Sequence, residues 1–305
     1  MKLAELAPDR LQQQLGGPGL VLGTGPFRFR IQSQLAQVAD GLTTLYGQYP
    51  VHETTRFADY PVQIAAGLGA HRVWRPQARF LFDGTMVFEP LPQDHAYPLL
   101  EWAMNWCISS HAHQYLMLHA AVLARGDRAL LLPAPPGSGK STLCAALMNS
   151  GWRLLSDELA LLSPVDGWVS PLARPVSLKN ASIDVMRRFA PQAVLNRVSH
   201  GTAKGSVTHM QVPAAQLAQI EQRARVCWLV FPKYSAGAAT SLRPRSRANS
   251  VVELARNAFN YSLLCPQAFE RLADVVESAT CHDFEYSDLN EAMACFDRLA
   301  LEASA

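Results

Sequence analysis

The feature that most constrains this chain is a short glycine-rich stretch, residues 134–142, which reads APPGSGKST. It departs by one residue from the P-loop consensus, which opens with Gly where this chain has Ala134. That change requires either a backbone conformation that accepts a Cβ or a loop redirected by Pro135 and Pro136. The apolar run RALLLPA precedes the stretch, and the helix-forming run STLCAALMNS follows it up to Gly151, which is placed to cap the helix. Strand, loop and helix in this order predict an α/β nucleotide-binding core.

The residues of the loop are suited to binding phosphate. Gly137 and Gly139 allow backbone N–H groups to turn toward phosphate oxygens, and the helix that begins near Lys140 adds its N-terminal dipole. We expect Lys140 to neutralise the β- and γ-phosphates and Ser141 to bind magnesium through its hydroxyl. ATP and Mg²⁺ are the predicted ligands, although GTP or pyrophosphate as the donor stays open. The predicted nucleotide-binding residues are Pro136, Gly137, Ser138, Gly139, Lys140, Ser141 and Thr142.

A pair of acids follows the loop helix directly, at the end of the apolar run RLLSDE (residues 153–158). Strand ends in α/β sheets open into the ligand crevice, so Asp157 and Glu158 are expected to face the phosphates. One acid is suited to bind magnesium and the other to take a proton from the incoming nucleophile. The predicted metal ligands are therefore Ser141, Asp157 and Glu158. The alternative is that the two acids only cap a turn, within a segment WRLLSDELALLSP that forms a further strand or a hairpin.

His119 lies in the apolar run LMLHAAV, which comes before the strand that leads into the loop. A lone histidine on an apolar strand is often a hydrogen-bonded core residue. If its strand neighbours the one that carries Asp157, however, the imidazole would tune the pKa of that carboxyl group.

The rest of the chain predicts two domains, residues 1–93 and 94–305. The first ninety-odd residues read as strand-like: FRFRIQS alternates with period two, and Asp83-Gly84 between apolar runs indicates a hairpin. Prolines at 90, 92 and 98 then mark a boundary near residue 93. A buried helix is expected over residues 97–114, followed by two strands joined through Arg125-Gly126-Asp127. Further strands (VCWLVFP, CHDFEY) and helices (SVVELARNAF, QAFERLADVVES, LNEAMACFDRLA) follow.

Composition limits the classes of protein that are possible. The 305 residues are 49% hydrophobic and 17% charged, which is typical of a folded globular chain. A net charge of +2 gives no global field for nucleic acid or an acidic membrane. No run of about 18 apolar residues predicts a membrane span, and the N-terminal residues do not resemble a signal peptide. The six cysteines show no C-x-x-C pair and are expected to be buried thiols in a reducing, cytoplasmic compartment.

The order of these motifs resembles the HPr kinase/phosphorylase catalytic domain, in which a histidine strand, a GKS-type loop and an acid pair follow one another. The wider chain is similar to the branch called HprK-related kinase A. The segments that carry the resemblance are EWAMNWC (101–107), HAAVLARGDRALLLPAPPGSGKST (119–142), GWRLLSDE (151–158), ARPVSLKN (173–180), KGSVTHM (204–210) and FNYSLL (259–264).

This resemblance implies a fold, a mechanism and partners. The fold would be an α/β P-loop core of HPr-kinase type with a smaller, β-rich N-terminal domain that could recognise the acceptor. Asp157 would act as the general base on an acceptor hydroxyl, His119 would assist it, and Lys140 would complete the catalytic set. The acceptor would be a serine of a peptide or protein, with a small peptide-binding partner protein and a homo-oligomer as further possibilities.

One departure concerns the glutamate-arginine-glycine signature of true HPr kinases, which is not evident where ARPVSLKN stands. Phosphorolysis and HPr as the substrate therefore stay open. Basic residues within the resembling segments could stabilise the transferring phosphoryl group or hold the acceptor; they are Arg174, Lys179, Lys204 and His209. By contrast, the alternating arginines of LRPRSRANS are expected to lie on a solvated edge or loop.

Two other classes of function share most of these residues. In a nucleotide-gated hydrolase or switch, Asp157 or Glu158 would orient water, and the γ-phosphate would be released as free phosphate. A small-molecule kinase would differ only in its acceptor. A non-catalytic nucleotide sensor fits less well, because the lysine, the hydroxyl and both acids are all present.

Overall fold

The computed structural model describes residues 1–53 and 55–302. Its close contacts divide the chain into two compact units, each of which combines strands with helices, so the fold is mixed α/β. Unit 1 comprises Met1–His111, Ser177–Ile183 and Ala193–Leu217, and unit 2 comprises Ala112–Val176, Asp184–Gln192 and Ala218–Ala305. The domains predicted from sequence, residues 1–93 and 94–305, stay a prediction.

The strands and helices are numbered along the chain. The strands are β1 (Leu20–Thr24), β2 (Phe27–Ser33), β3 (Val51–His52), β4 (Tyr60–Ala66), β5 (Gln77–Phe82), β6 (Thr85–Met86), β7 (Leu91–Pro92), β8 (Leu116–Arg125), β9 (Arg128–Pro133), β10 (Arg153–Ser156), β11 (Leu159–Leu162), β12 (Trp168–Ser170), β13 (Val176–Lys179), β14 (Ser199–Thr202), β15 (Gly205–Met210), β16 (Ala224–Tyr234), β17 (Ser241–Pro244) and β18 (Thr280–Tyr286). The helices are α1 (Pro8–Gly16), α2 (Ala36–Tyr46), α3 (Ala96–His111), α4 (Lys140–Asn149), α5 (Ala181–Phe189), α6 (Ala214–Leu217), α7 (Arg247–Arg256), α8 (Tyr261–Leu264), α9 (Gln267–Ser278) and α10 (Leu289–Glu302).

Unit 1 is built on a sheet in the order β3-β1-β2-β4-β5-β6, with β7 paired to β5. The alternation predicted for β2 is present, since Phe27, Phe29 and Ile31 are buried and the residues between them are half-buried. The expected hairpin is confirmed as well. Asp83 and Gly84 join β5 to β6 with φ values of 47° and 77°, and positive φ at both central residues is the geometry of a type I′ turn.

The expectation that the first ninety residues are strand-like is wrong for two segments, which form α1 and α2. Pro8 stands at the first position of α1, where its missing N–H breaks no hydrogen bond. In α2, Gly41 lies against the ring of Tyr97, which would overlap any Cβ at position 41. The helix predicted over residues 97–114 is confirmed, with slightly different ends, as α3.

Unit 2 is built on a sheet in which β9, β16 and β18 are neighbouring parallel strands and β8 lies antiparallel to β9. Both β10 and β11 pair antiparallel with β8: Arg153 lies opposite Ala124, and Leu159 lies opposite His119. They therefore run in one direction along β8, as two parts of an interrupted strand. Of the two predictions for this segment, the strand is correct and the hairpin is wrong.

One core cluster of unit 2 lies on one face of β8. Its even-numbered residues from Leu116 to Ala124 pack with residues of α7 and α9, among them Leu254 and Leu272. Since side chains alternate across a strand, His119 belongs to the opposite face. In the ranges 1–53 and 55–302, none of the helices has the length and apolar character that crossing a membrane requires.

Two minor predictions are settled by burial and pairing. Four cysteines are buried and Cys227 is half-buried, but Cys265 is exposed, so the expectation that all six are buried is wrong there. The arginine run lies partly on β17, an edge strand of its sheet, as expected. Arg245 also has a structural role, since its guanidinium stacks over the Phe231 ring at 4.1 Å and pairs with Asp283.

Candidate active site

The segment between β9 and α4, residues 134–139, is called the glycine loop below. Gly137 and Gly139 have φ values of 86° and 87°, in the left-handed region that glycine adopts without steric cost. Ala134 is not among the described residues with positive φ. Its backbone therefore accepts a Cβ, which accounts for the departure from the consensus at this position.

Two tyrosines hold the glycine loop at the sheet edge. The Tyr234 N–H donates to the Ser138 carbonyl (2.9 Å), and the Tyr286 hydroxyl donates to the Gly139 carbonyl (3.1 Å). Burial raises the pKa of Tyr286 well above its ordinary value, so the hydroxyl stays a donor at neutral pH. Because these tyrosines end β16 and β18, which run parallel to β9, the loop lies at the carboxyl edge of the parallel strands, where α/β sheets bind ligands.

Gly139 is constrained by packing as well as by φ, and this gives a first prediction. A Cβ there would lie 2.6 Å from the Tyr286 hydroxyl and 2.8 Å from the Tyr234 Cβ. Gly139→Ala should therefore lower the free energy of unfolding by about 2–5 kcal/mol, the sum of left-handed strain and overpacking. Gly137→Ala is the matched control, since φ is the same but no atom lies within 4 Å; it should cost only about 1–2 kcal/mol. Equal losses in urea unfolding would contradict the packing role.

The helix α4 carries Lys140 as its first residue. Lys140 is buried, with 6% of its surface exposed, and Ser141 and Thr142 are half-buried. The hydroxyl of Ser138, in the loop just before the helix, is buried and has no hydrogen-bond partner among the described residues. The helix ends at Asn149, and Gly151 follows the cap residue Ser150; its φ of 90° lets the next N–H, that of Trp152, return to the Leu147 carbonyl.

Asp157 lies near α4. It is 6% exposed, and its charge acts on the thiol of Cys144, which lies one helical turn beyond Lys140 and is completely buried. Burial raises the pKa of the Cys144 thiol well above its ordinary value, the Asp157 charge raises it further, and Lys140 acts in the opposite direction. The structure therefore places the predicted cation and the predicted acid near one buried thiol.

The backbone around the acid pair is set by a local turn. The Ser156 hydroxyl donates to the Leu159 carbonyl (2.8 Å) and accepts from the Leu159 N–H (3.1 Å). This turn separates β10 from β11 and leaves Asp157 and Glu158 outside the regular pairing with β8. The two acids differ in exposure, because Asp157 is buried and Glu158 is half-buried.

His119 lies on the strand next to β10 and β11, the two strands on either side of Asp157, as its proposed role requires. It lies opposite Leu159, two residues beyond Asp157, on the strand that borders both β10 and β11. Its ring is half-buried and packs edge-on against Phe259, with the ring centroids 6.0 Å apart. Its backbone N–H donates to the Asn257 carbonyl at 2.7 Å.

The four basic residues proposed for the acceptor fall in different units. Arg174, 7% exposed, belongs to unit 2, in a segment held beside β10 by the bond from Leu172 N–H to the Leu155 carbonyl (2.7 Å). Unit 1 holds the other three. There Lys204 lies over the Trp102 ring at 5.6 Å, His209 is buried edge-on to Tyr97, and the backbone N–H of Lys179 donates to the Ser182 hydroxyl (2.7 Å). A role for these residues in acceptor binding stays a prediction.

Some residues of the site carry no motif that the sequence analysis used. Cys144 stands four residues after Lys140 on a helix, a spacing that puts both on one face, and this signal could have identified it. Tyr234 and Tyr286 give no such signal, because their contacts with the loop depend on strand order. Within the described ranges, no group of three or more His, Cys, Asp or Glu side chains is arranged to hold a metal ion.

Comparisons with known proteins add little to this geometry. No family model matches the chain, and no curated protein matches it. Among solved structures, the chain is similar to the Hpr(Ser) kinase/phosphatase from Coxiella burnetii, at 14% sequence identity and a TM-score of 0.28. The similarity covers 61% of this chain and 98% of that chain. A TM-score this low does not establish a common fold and carries no conclusion about function.

Proposed function

We propose that the protein is a kinase that uses ATP and magnesium to phosphorylate a hydroxyl, that of a serine, in a peptide or protein. The observation that carries the proposal is that Lys140 and Asp157 both lie near the buried thiol of Cys144, on the helix that follows the glycine loop. Phosphoryl transfer depends mainly on positioning and charge stabilisation. A buried cation and a buried carboxylate beside a phosphate-binding loop supply both.

The residues of the glycine loop fit a bound triphosphate. Space is open around Gly137, and the Ser138 hydroxyl lacks a partner among the described residues. Pro136 has no backbone N–H, but the backbone N–H groups of residues 137–142 would bind phosphate oxygens together with the dipole of α4. Lys140 would neutralise the β- and γ-phosphates.

Magnesium would be held by oxygen donors, which are the ligands that this ion prefers. Ser141 supplies a hydroxyl, and Asp157 and Glu158 supply carboxylates. Such a set leaves coordination positions for phosphate oxygens and water, as is usual for magnesium in kinases. When bound, the ion would offset the negative charge on the β- and γ-phosphates.

Asp157 is the proposed general base, since it is the more buried of the two acids. Its carboxylate would take the proton of the acceptor hydroxyl while the new oxygen–phosphorus bond forms. The bond from the γ-phosphorus to the bridging oxygen breaks at the same time, and ADP leaves.

His119 would act on Asp157 from the neighbouring strand, and Arg174 would stabilise charge on the transferring group. A small peptide-binding protein is proposed as a partner.

Phosphate labelling in a lysate of the cells that naturally contain the protein tests this function. The purified protein would receive γ-labelled ATP, magnesium and lysate, in parallel with Lys140→Ala and Asp157→Asn variants. We expect label in a discrete polypeptide with the unaltered protein and none with either variant. Label in a small molecule would instead identify a small-molecule kinase.

Release of label only as free phosphate, at a rate that lysate does not change, would contradict the kinase and favour a nucleotide-gated switch. Absence of both products would leave nucleotide binding as the remaining activity. A binding assay with a fluorescent ATP analogue on the same three proteins measures that activity directly.

A further inference from the structure

We propose that Phe259 determines specificity by binding an apolar side chain of the acceptor peptide, a role that rests on the proposed function. The Phe259 ring is 51% exposed, and it packs edge-on against the ring of His119 with the centroids 6.0 Å apart. His119 in turn lies opposite Leu159, two residues beyond Asp157. An exposed apolar ring therefore stands beside the strand that borders the proposed base.

The backbone that carries this ring is held firmly on β8. The Phe259 N–H donates to the Met117 carbonyl (2.9 Å), and the His119 N–H donates to the Asn257 carbonyl (2.7 Å). The side chain of Asn260, 1% exposed, accepts from the Met117 N–H (3.0 Å) and donates to a carbonyl just before β8 (2.8 Å). The exposed ring thus lies on a fixed segment, so a ligand that binds to it has little backbone to order.

The order of the strands places the ring relative to the acids. Since β10 and β11 pair along one edge of β8, residues 257–259 lie along its other edge, next to where β9 ends at Pro133. Phe259 and Asp157 are therefore separated by two strand spacings, about 10 Å in all. An extended peptide advances about 3.3 Å per residue. A serine at Asp157 would place on the Phe259 ring a side chain about three positions away.

The position of the ring favours the acceptor over the base of the nucleotide. In the proposed reaction the γ-phosphate is the end of ATP that meets Asp157, and the base is its opposite end. A ring that packs against His119 stands beside the acceptor instead. Its exposed face is apolar, so a leucine-like side chain would remove more apolar surface from water there than a charged one.

Synthetic peptides with one central serine test this specificity. Each would carry Leu, Asp or Lys at one position within four residues of the serine, and kcat/KM for transfer of label from γ-labelled ATP would be measured for each. The variants are Phe259→Ala, Phe259→Leu and Phe259→Arg. Phe269→Ala is the matched control, because Phe269 is 53% exposed on α9. That helix packs through Leu272 on the core face of β8, opposite to the face of His119.

We expect the unaltered protein to prefer Leu to Asp by about 10-fold at one position, the lower end of the range for an apolar contact. Phe259→Leu and the Phe269 control should keep this preference, Phe259→Ala should lose it, and Phe259→Arg should turn it toward Asp. The inference is overturned by equal labelling of all peptides, or by a preference that survives in Phe259→Ala. Weaker binding of a fluorescent ATP analogue to Phe259→Ala, with the preference unchanged, would assign the ring to the base instead.

Peptide binding keeps the test independent of phosphoryl transfer. The same peptides, fluorescein-labelled and with Ala in place of the serine, would be titrated with each protein and followed by fluorescence anisotropy. If the unaltered protein labels no peptide and no lysate polypeptide, the proposed function fails and binding alone decides. Tighter binding of a Leu peptide that Phe259→Ala abolishes would support the contact, whereas equal or absent binding would overturn it.

Discussion

Replacing Asp157 by Asn should lower the rate of phosphoryl transfer by about 10²- to 10⁴-fold, the range that general bases contribute. The amide has the same shape as the carboxylate, but it cannot take the proton of an acceptor hydroxyl. Binding of ATP in the absence of magnesium should be nearly unchanged, because the proposed phosphate contacts come from the glycine loop and Lys140. Single-turnover transfer of labelled phosphate and a fluorescence binding assay measure the two quantities.

Two other acids serve as controls for this prediction. Glu158→Gln should reduce the rate less, because Glu158 is half-buried and is proposed only to bind magnesium. Asp166→Asn should leave it unchanged, since Asp166 lies on the surface of the same unit and pairs with Arg223 at 2.6 Å. An Asp157 variant that transfers phosphate as fast as the Asp166 variant would exclude Asp157 as the base.

The largest effect on stability is expected in unit 1, at a buried carboxylate. Glu101 is 3% exposed and accepts hydrogen bonds from the hydroxyls of Tyr46 (2.8 Å) and Tyr97 (2.7 Å). The bond from Tyr46 joins α2 to α3, and the bond from Tyr97 lies within α3. Glu101→Ala removes the acceptor of two buried donors, each of which costs about 1–3 kcal/mol when unsatisfied. The free energy of unfolding should therefore fall by about 2–6 kcal/mol.

Urea unfolding, together with hydrogen exchange of the α2 and α3 amides, would measure this loss and locate it in unit 1. Tyr46→Phe and Tyr97→Phe should each cost about 1.5–3 kcal/mol, because each removes one hydrogen bond to a carboxylate. Glu89→Ala is the control for loss of an exposed glutamate, and it should change stability by less than about 0.5 kcal/mol. An Ala variant at 101 that unfolds like the Glu89 control would show that the buried network does not stabilise the unit.

Local patterns in the sequence predicted the elements that depend on neighbouring residues. The glycine loop and α4 follow from glycines that adopt positive φ, from a run of good helix formers and from the cap at Gly151. The Asp83-Gly84 hairpin follows from turn chemistry in the same way. In contrast, α2 was not predicted, because its sequence has a weak helix pattern that includes Gly41. Packing of Gly41 against Tyr97 of α3 stabilises the helix, and no local pattern shows that contact.

By itself, then, the sequence determined the glycine loop, its helix and the candidates Lys140 and Asp157, because these depend on backbone preferences and spacing over a few residues. Only the tertiary structure decided that β10 and β11 form one interrupted strand along β8, and that Tyr286 supports the loop through the Gly139 carbonyl. It also decided that Lys140 and Asp157 both lie near the buried thiol of Cys144. Such contacts join segments far apart in the chain, and the order and register of the strands, which no local pattern specifies, bring them together.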